Sequence, residues 1–160
     1  MKQKELAAAL KGILILCLLA LALLAGLLIP SFGRGIADSE PELAWMFWPC
    51  LGFIWLTCLP VLMVLVLVWK IATQIGADNS FCQENATRLK WICCLAMADT
   101  GIYVLAGIAA FVFFQGLPPI VLFPLFFILC LGVAISVVAA VFSHLVRKGA
   151  DMKAEQDLTI

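Results

Sequence analysis

Four long apolar runs constrain this chain more than any other feature. They cover approximately residues 12–29, 43–69, 91–114 and 120–145, and Pro30 is expected to close the first. Each run is long enough to cross a bilayer as a helix, which takes roughly 17–25 residues. Hydrophobic residues make up 65% of the 160 residues and charged residues only 12%, which leaves too little polar surface for a soluble domain. The sequence therefore predicts an all-α membrane protein built as a four-helix transmembrane bundle.

The basic residues are unevenly distributed along the chain, and this distribution predicts the orientation. With the N-terminus in the cytoplasm, nine of the ten basic residues fall on the cytoplasmic side: Lys2, Lys4, Lys11, Lys70, Arg88, Lys90, Arg147, Lys148 and Lys153. Arg34 alone then lies outside. Because cytoplasmic loops are enriched in Lys and Arg, we expect N-in/C-in topology, with both termini cytoplasmic.

No linker, low-complexity tract or convincing repeat divides the chain, so residues 1–160 are expected to form a single transmembrane domain. Residues 70–90 are predicted to be a cytoplasmic loop and helix, with a helix end at Gly76. No helix-breaking residue interrupts residues 81–114, so we expect a cytoplasmic extension of the third helix. Residues 146–160 are predicted to be a cytoplasmic tail.

Asp99 is the only acidic residue inside a predicted span, within "WICCLAMADTGIYV". A lipid-facing carboxylate costs roughly 3 kcal/mol on insertion scales, so Asp99 is expected to face the bundle interior. Tyr103, four residues later, shares its helical face. Asp99 and Tyr103 could form a polar pivot in a conformational switch, or Asp99 could be the proton or cation site of a transporter. A purely structural hydrogen-bonding role also remains open.

No catalytic constellation, nucleotide-binding glycine pattern or metal-ligand spacing is present in the sequence. We therefore expect no enzyme activity, no cofactor and no metal. The seven cysteines include no C-x-x-C pair, which disfavours a thiol oxidoreductase. The formal net charge is zero, which argues against direct binding of nucleic acid.

Two polar stretches are candidates for binding a cytoplasmic partner. The first, "FCQENATRLKWI" at residues 81–92, predicts a helix that could either lead the third span into the bilayer or dock a partner. The second is the tail, whose apolar end could add as a strand to a partner or remain merely exposed. The residues that we expect to contact such a partner are Phe81, Asn85, Arg88, Leu89, Leu158, Thr159 and Ile160.

These two stretches also carry a family resemblance. Phe81, Asn85 and Leu89 match a Phe-x-x-x-Asn-x-x-x-Leu-type motif, and "EQDLTI" is similar to a tail of the "EENDLTI" kind, with Gln156 where Asn is usual. In these motifs the chain resembles the bacterial membrane family labelled domain of unknown function 2975, which includes YoaS-like proteins. The overall pattern covers nearly the whole chain, whereas the specific motifs are confined to the two stretches.

The resemblance implies a four-span protein of the bacterial inner (plasma) membrane. Such proteins are typically encoded beside a small Cro/CI-type helix-turn-helix regulator, so the resemblance implies a membrane partner that binds or sequesters a transcription factor. It implies no known enzyme activity. Our leading hypothesis is therefore a non-enzymatic sensor, and the alternative is a small proton- or cation-coupled transporter that uses Asp99. The transporter would be a homo-oligomer, because four spans enclose little volume.

Overall fold

The computed structural model describes residues 3–39, 41–77, 79–114 and 119–158, without the side chains of 42, 43, 114, 119–121 and 156–158. The described chain is almost entirely helical and contains no strand. In chain order its elements are α1 (Gln3–Leu23), a π-helical turn (Leu24–Leu28), α2 (Ile29–Ser39), a 3₁₀ turn (Pro41–Met46), α3 (Phe47–Gly76), α4 (Gln83–Phe114) and α5 (Pro119–Leu158).

Four helical segments are long and apolar enough to cross a membrane. They are Gln3–Ser39, Ala44–Gly76, Gln83–Phe113 and Leu122–Glu155. Most of their large apolar side chains are exposed, as expected where lipid rather than water surrounds a bundle. The prediction of an all-α, four-helix membrane protein is thereby confirmed, and the chain is a multi-pass membrane protein.

The sequence predicted that the first helix would end at Pro30, but the helix continues past this residue. It continues through the π-helical turn Leu24–Leu28 into α2, which ends only at Ser39. A proline lacks an amide hydrogen, and its ring collides with the carbonyl group four residues earlier, here that of Gly26. The wider π-helical turn lies at this carbonyl group and accommodates the ring, so the chain stays helical.

The helix ends on both sides of the α3–α4 connection lie at or close to their predicted positions. Helix α3 ends at Gly76, as predicted. Helix α4 begins at Gln83, two residues after the predicted start at Phe81. The Cys82 carbonyl oxygen accepts hydrogen bonds from the amides three and four residues later, at 3.1 and 3.3 Å, which fixes this helix start.

Small buried residues bring the helices together. Helix α4 packs most extensively on α5, α1 packs on α3, and α3 packs on α4. Among the buried apolar residues are five alanines, one or two from each of these four helices: Ala7, Ala72, Ala86, Ala139 and Ala150. Small side chains at such contacts allow the backbones of membrane helices to approach each other closely, since lipid supplies no hydrophobic driving force between them.

Most of the basic residues lie at one end of the bundle. Ser80, before α4, donates to Gln3 of α1 across 3.5 Å, and Gln83 donates to Asp151 of α5 across 2.6 Å, so these elements end together. We call this region the basic end, after its described Lys and Arg residues: Lys4, Lys11, Lys70, Arg88, Lys90, Arg147, Lys148 and Lys153. Its position in the cytoplasm stays a prediction.

Candidate functional site

Polar side chains from three helices meet within the apolar part of the bundle. They form a group that we call the central cluster: Thr57 and Cys58 of α3, Asp99, Thr100 and Tyr103 of α4, and Ser136 of α5. Thr57 is only 3% exposed and Ser136 only 5% exposed. Thr57 and Ser136 therefore lie between the helices, whereas the other four side chains are partly exposed.

A pair of hydroxyl groups joins α3 to α4 in this cluster. The oxygens of Thr57 and Tyr103 lie 2.9 Å apart. Because the Thr57 hydroxyl donates to the Ile54 carbonyl oxygen at 3.0 Å, Tyr103 is the donor to Thr57. The Tyr103 ring also packs edge-on against Phe53, with ring centroids 5.3 Å apart. These contacts fix the position of the tyrosine between the two helices.

The carboxyl group of Asp99 lies beside this pair. Its Oδ1 atom is buried and has no hydrogen-bond partner among the described residues. Cys58 and Tyr103 lie within range of its charge. The structure thus brings Asp99 and Tyr103 to one site, as the shared helical face predicted, whereas the role of the pair as a pivot stays a prediction.

The same cluster lies at a close approach of α4 to α5. A Cβ atom added to Gly132 would overlap the Thr100 hydroxyl, so the contact needs a glycine. The Thr100 hydroxyl donates to the Ala96 carbonyl oxygen at 2.7 Å, and the Ser136 hydroxyl donates to that of Gly132 at 2.8 Å. This contact therefore holds α4 close to α5 at the residue that follows Asp99 in the sequence.

A second polar group organises the basic end. Asn85 is 1% exposed and is the largest of the fully buried side chains. Its Nδ2 donates to the Ser80 carbonyl oxygen at 3.1 Å, and its Oδ1 accepts from Arg88 at 2.9 Å. Arg88 in turn forms an ion pair with Glu84 at 3.0 Å. Asn85 therefore holds the loop before α4 against the first turns of that helix.

Contacts between α4 and α5 complete this arrangement. The Phe81 ring lies against Gly149, and a Cβ atom there would be only 2.6 Å from the ring. The Ser143 hydroxyl donates to the Ala86 carbonyl oxygen at 2.8 Å. Together with the Gln83–Asp151 hydrogen bond, these contacts and those of Asn85 form what we call the clasp: Ser80, Phe81, Gln83, Glu84, Asn85, Ala86, Arg88, Ser143, Gly149 and Asp151.

The residues that were predicted to dock a partner differ in how far their side chains are exposed. Phe81 is 55% exposed, and Arg88 and Leu89 are partly exposed, whereas Asn85 offers no surface to a partner because its side chain is buried. The side chain of Leu158 is not described, and Thr159 and Ile160 lie outside the described residues. Docking of a partner stays a prediction. If it occurs, Asn85 would contribute by holding the loop before α4 in place and not by contacting the partner.

Sequence reasoning missed several residues of both groups. Thr57 and Tyr103 are 46 positions apart, and Gln83 and Asp151 are 68 apart, so no local pattern pairs them. Gly132 and Gly149 could have been suspected as small residues at helix contacts. Their partners could not have been named without the fold.

Potential metal ligands do not cluster among the described residues. Within the described ranges, no group of three or more His, Cys, Asp and Glu side chains could hold a metal ion. The seven cysteines are free thiols, and Cys17, Cys50, Cys94 and Cys130 are exposed. The polar chemistry of the described chain is therefore concentrated in the central cluster and the clasp.

Comparison with known proteins gives one family. The family model for the protein of unknown function DUF2975 matches residues 31–160, which include both the central cluster and the clasp. Searches of curated proteins and of solved structures returned no significant match. Since the match extends over most of the sequence, the chain belongs to the DUF2975 family.

Proposed function

We propose that this chain is a non-enzymatic membrane partner, or sequestering sensor, for a small helix-turn-helix transcriptional regulator. The proposal places it in the bacterial inner membrane, with the basic end and both termini in the cytoplasm. The observation that supports this proposal is the position and exposure of the Phe81 side chain. This ring is anchored on Gly149 and yet remains 55% exposed at the polar end of a membrane bundle. A large, preorganised aromatic side chain is a common anchor of protein interfaces.

The charged residues of the basic end restrict where a DNA-binding regulator would contact it. A DNA-binding regulator presents a basic surface to phosphate groups, and the lysines and arginines of the basic end would repel that surface. Two carboxylates, however, lie near Phe81: that of Glu84, which is 68% exposed and paired with Arg88, and that of Asp151, which accepts a hydrogen bond from Gln83. We therefore place the contact at Phe81, these carboxylates and the end of α5.

The continuous helices support a sensing role. Helix α4 carries both Asn85 and Asp99, which are 14 positions apart and therefore separated by about 21 Å along the helix. A rotation or tilt of α4 at the central cluster would therefore move the start of the helix, where Phe81 and the clasp lie. This is the physical route by which an event in the membrane would change binding of the regulator.

The test is a binding measurement on the full chain in lipid nanodiscs, with the regulator encoded beside it as the probe. We expect Phe81→Ala to weaken binding by about 30-fold, the equivalent of roughly 2 kcal/mol for a central anchor. Deletion of residues 155–160 should weaken it further. Trp91→Ala is the matched control, because Trp91 is also an exposed aromatic residue of the same region. Wild-type protein that does not bind, or a Phe81→Ala variant that binds equally well, would refute the proposal.

A second candidate is a small proton- or cation-coupled transporter, which would work as a homo-oligomer. The buried Oδ1 atom of Asp99 favours it, because unpaired acidic groups in membrane helices commonly mark ion or proton pathways. In proteoliposomes, the transporter hypothesis predicts a proton-coupled flux that Asp99→Asn abolishes. Absence of flux from wild-type protein over a broad panel of substrates would count against it.

A further inference from the structure

The hydroxyl groups of the central cluster have already used their hydrogens. Thr57, Thr100 and Ser136 each donate to a carbonyl oxygen of the preceding helical turn, and Tyr103 donates to Thr57. A hydroxyl group has one hydrogen to donate and two lone pairs with which to accept. These hydroxyl groups therefore have no hydrogen left to offer Asp99, whose buried Oδ1 has no hydrogen-bond partner among the described residues.

An ionised carboxylate does not suit such a site. A carboxylate only accepts hydrogen bonds, and an anion inside a membrane span without donors or a counter-charge is strongly unfavourable. The titratable groups that face Asp99 are the Cys58 thiol of α3, a weak donor, and the Tyr103 phenol of its own helix. Helix α5 presents Gly132 and Ser136 at this level. Residues 47–69, 91–114 and 119–143 contain no Lys, Arg or His.

The charge of an ionised Asp99 would therefore need a compensating cation, and the residues of the cluster favour a proton over a metal ion. Calcium takes 6–8 oxygen ligands and magnesium needs near-octahedral coordination, usually with more than one carboxylate or several waters. Asp99 is the only carboxylate in the cluster, and the described residues hold no metal-binding group of acids, cysteines and histidine. A bound proton neutralises the charge and needs no further ligands.

We propose that Asp99 is a proton-binding site, and that the resting protein holds it as a neutral carboxylic acid at neutral pH. The proton comes from water and returns to water when the group ionises. Ionisation then leaves an unpaired anion in the central cluster, and such an anion favours the entry of water between the helices. The inference does not depend on whether the chain binds a regulator or transports a solute.

Infrared spectroscopy of the full chain in lipid vesicles, with ¹³C-labelled aspartate, tests this proposal. Wild-type protein at neutral pH should show the carbonyl stretching band of a protonated carboxylic acid. Asp99→Asn should lack the band, and Asp99→Glu should regain such a band from unlabelled glutamate. Asp38→Asn is the matched control, because Asp38 is exposed in α2 and its replacement should leave the band unchanged.

Three results would overturn the proposal. The band could be missing from wild-type protein at neutral pH, which needs no variant to establish. It could persist in Asp99→Asn, which would assign it to another aspartate. Finally, addition of sodium, potassium or calcium ions at constant pH could remove it, which would show that a metal ion displaces the proton and is the preferred ligand.

Discussion

The clasp and the central cluster are both groups of polar contacts between helices, but they differ in how completely their buried polar atoms are paired. In the clasp, both polar atoms of Asn85 have partners, and its neighbours Arg88 and Glu84 form an ion pair. In the central cluster, the hydroxyl groups are paired but Asp99 Oδ1 is not. Both groups lie on α4, so they share one rigid element.

The difference separates structural from functional polarity. A fully paired buried network stabilises one conformation, and its loss leaves unpaired groups that cost free energy. A buried carboxyl group without a partner gives little stability and persists where its chemistry is used. We therefore interpret the clasp as the part that holds the bundle end together and Asp99 as the part that responds.

The largest loss of stability is expected from Asn85→Ala. It removes two hydrogen bonds and leaves the Ser80 carbonyl oxygen and an Arg88 donor without their partner. We expect the free energy of unfolding in mild detergent to fall by about 2–3 kcal/mol. Thr87→Ala is the control, since its exposed hydroxyl bonds only within α4, to the Gln83 carbonyl oxygen. Equal stability of the two variants would show that the clasp is not structural.

A smaller loss is expected from Gly149→Ala. The new methyl group would lie 2.6 Å from the Phe81 ring, so the ring must move, at a cost of about 1–2 kcal/mol. Phe81→Ala in the same chain should remove most of that cost, which a double-mutant cycle measures. The control is Gly101→Ala in α4, where nothing lies within 4 Å of the added atom. Additive effects of the two clasp substitutions would contradict the contact.

The smallest effect belongs to the hydroxyl pair of the central cluster. Thr57→Val and Tyr103→Phe each remove one side of the 2.9 Å hydrogen bond. Hydrogen bonds between membrane helices average about 0.6 kcal/mol in double-mutant cycles, so we expect a coupling of that order. A coupling as large as the loss from Asn85→Ala would mean that the central cluster is as structural as the clasp.

The sequence predicted the helices much better than their contacts. Four long apolar runs and Gly76 sufficed for four helices and one helix end, because length and backbone conformation act locally. The helix end predicted at Pro30 was wrong, because an upstream π-helical turn accommodates the proline ring without ending the helix. The sequence alone gives no sign of that turn.

The site shows the same limit. The motif formed by Phe81, Asn85 and Leu89 was recognised, but the pattern could not tell which of these side chains other residues cover. In the fold, Phe81 stays half exposed while Asn85 is enclosed by its own loop and helix. For Asp99, hydropathy placed the carboxyl group inside the bundle. Only the fold shows that the nearby hydroxyl hydrogens are already engaged.

The most direct test of the division between clasp and central cluster is the unfolding free energy of Asp99→Asn, measured in the same detergent as wild-type protein. If Asp99 is a neutral acid that responds to protons and adds no structural hydrogen bond, the isosteric amide should leave stability unchanged or slightly higher. A loss of about 2–3 kcal/mol, equal to that expected for Asn85→Ala, would contradict the account, because it would make Asp99 a structural residue like those of the clasp.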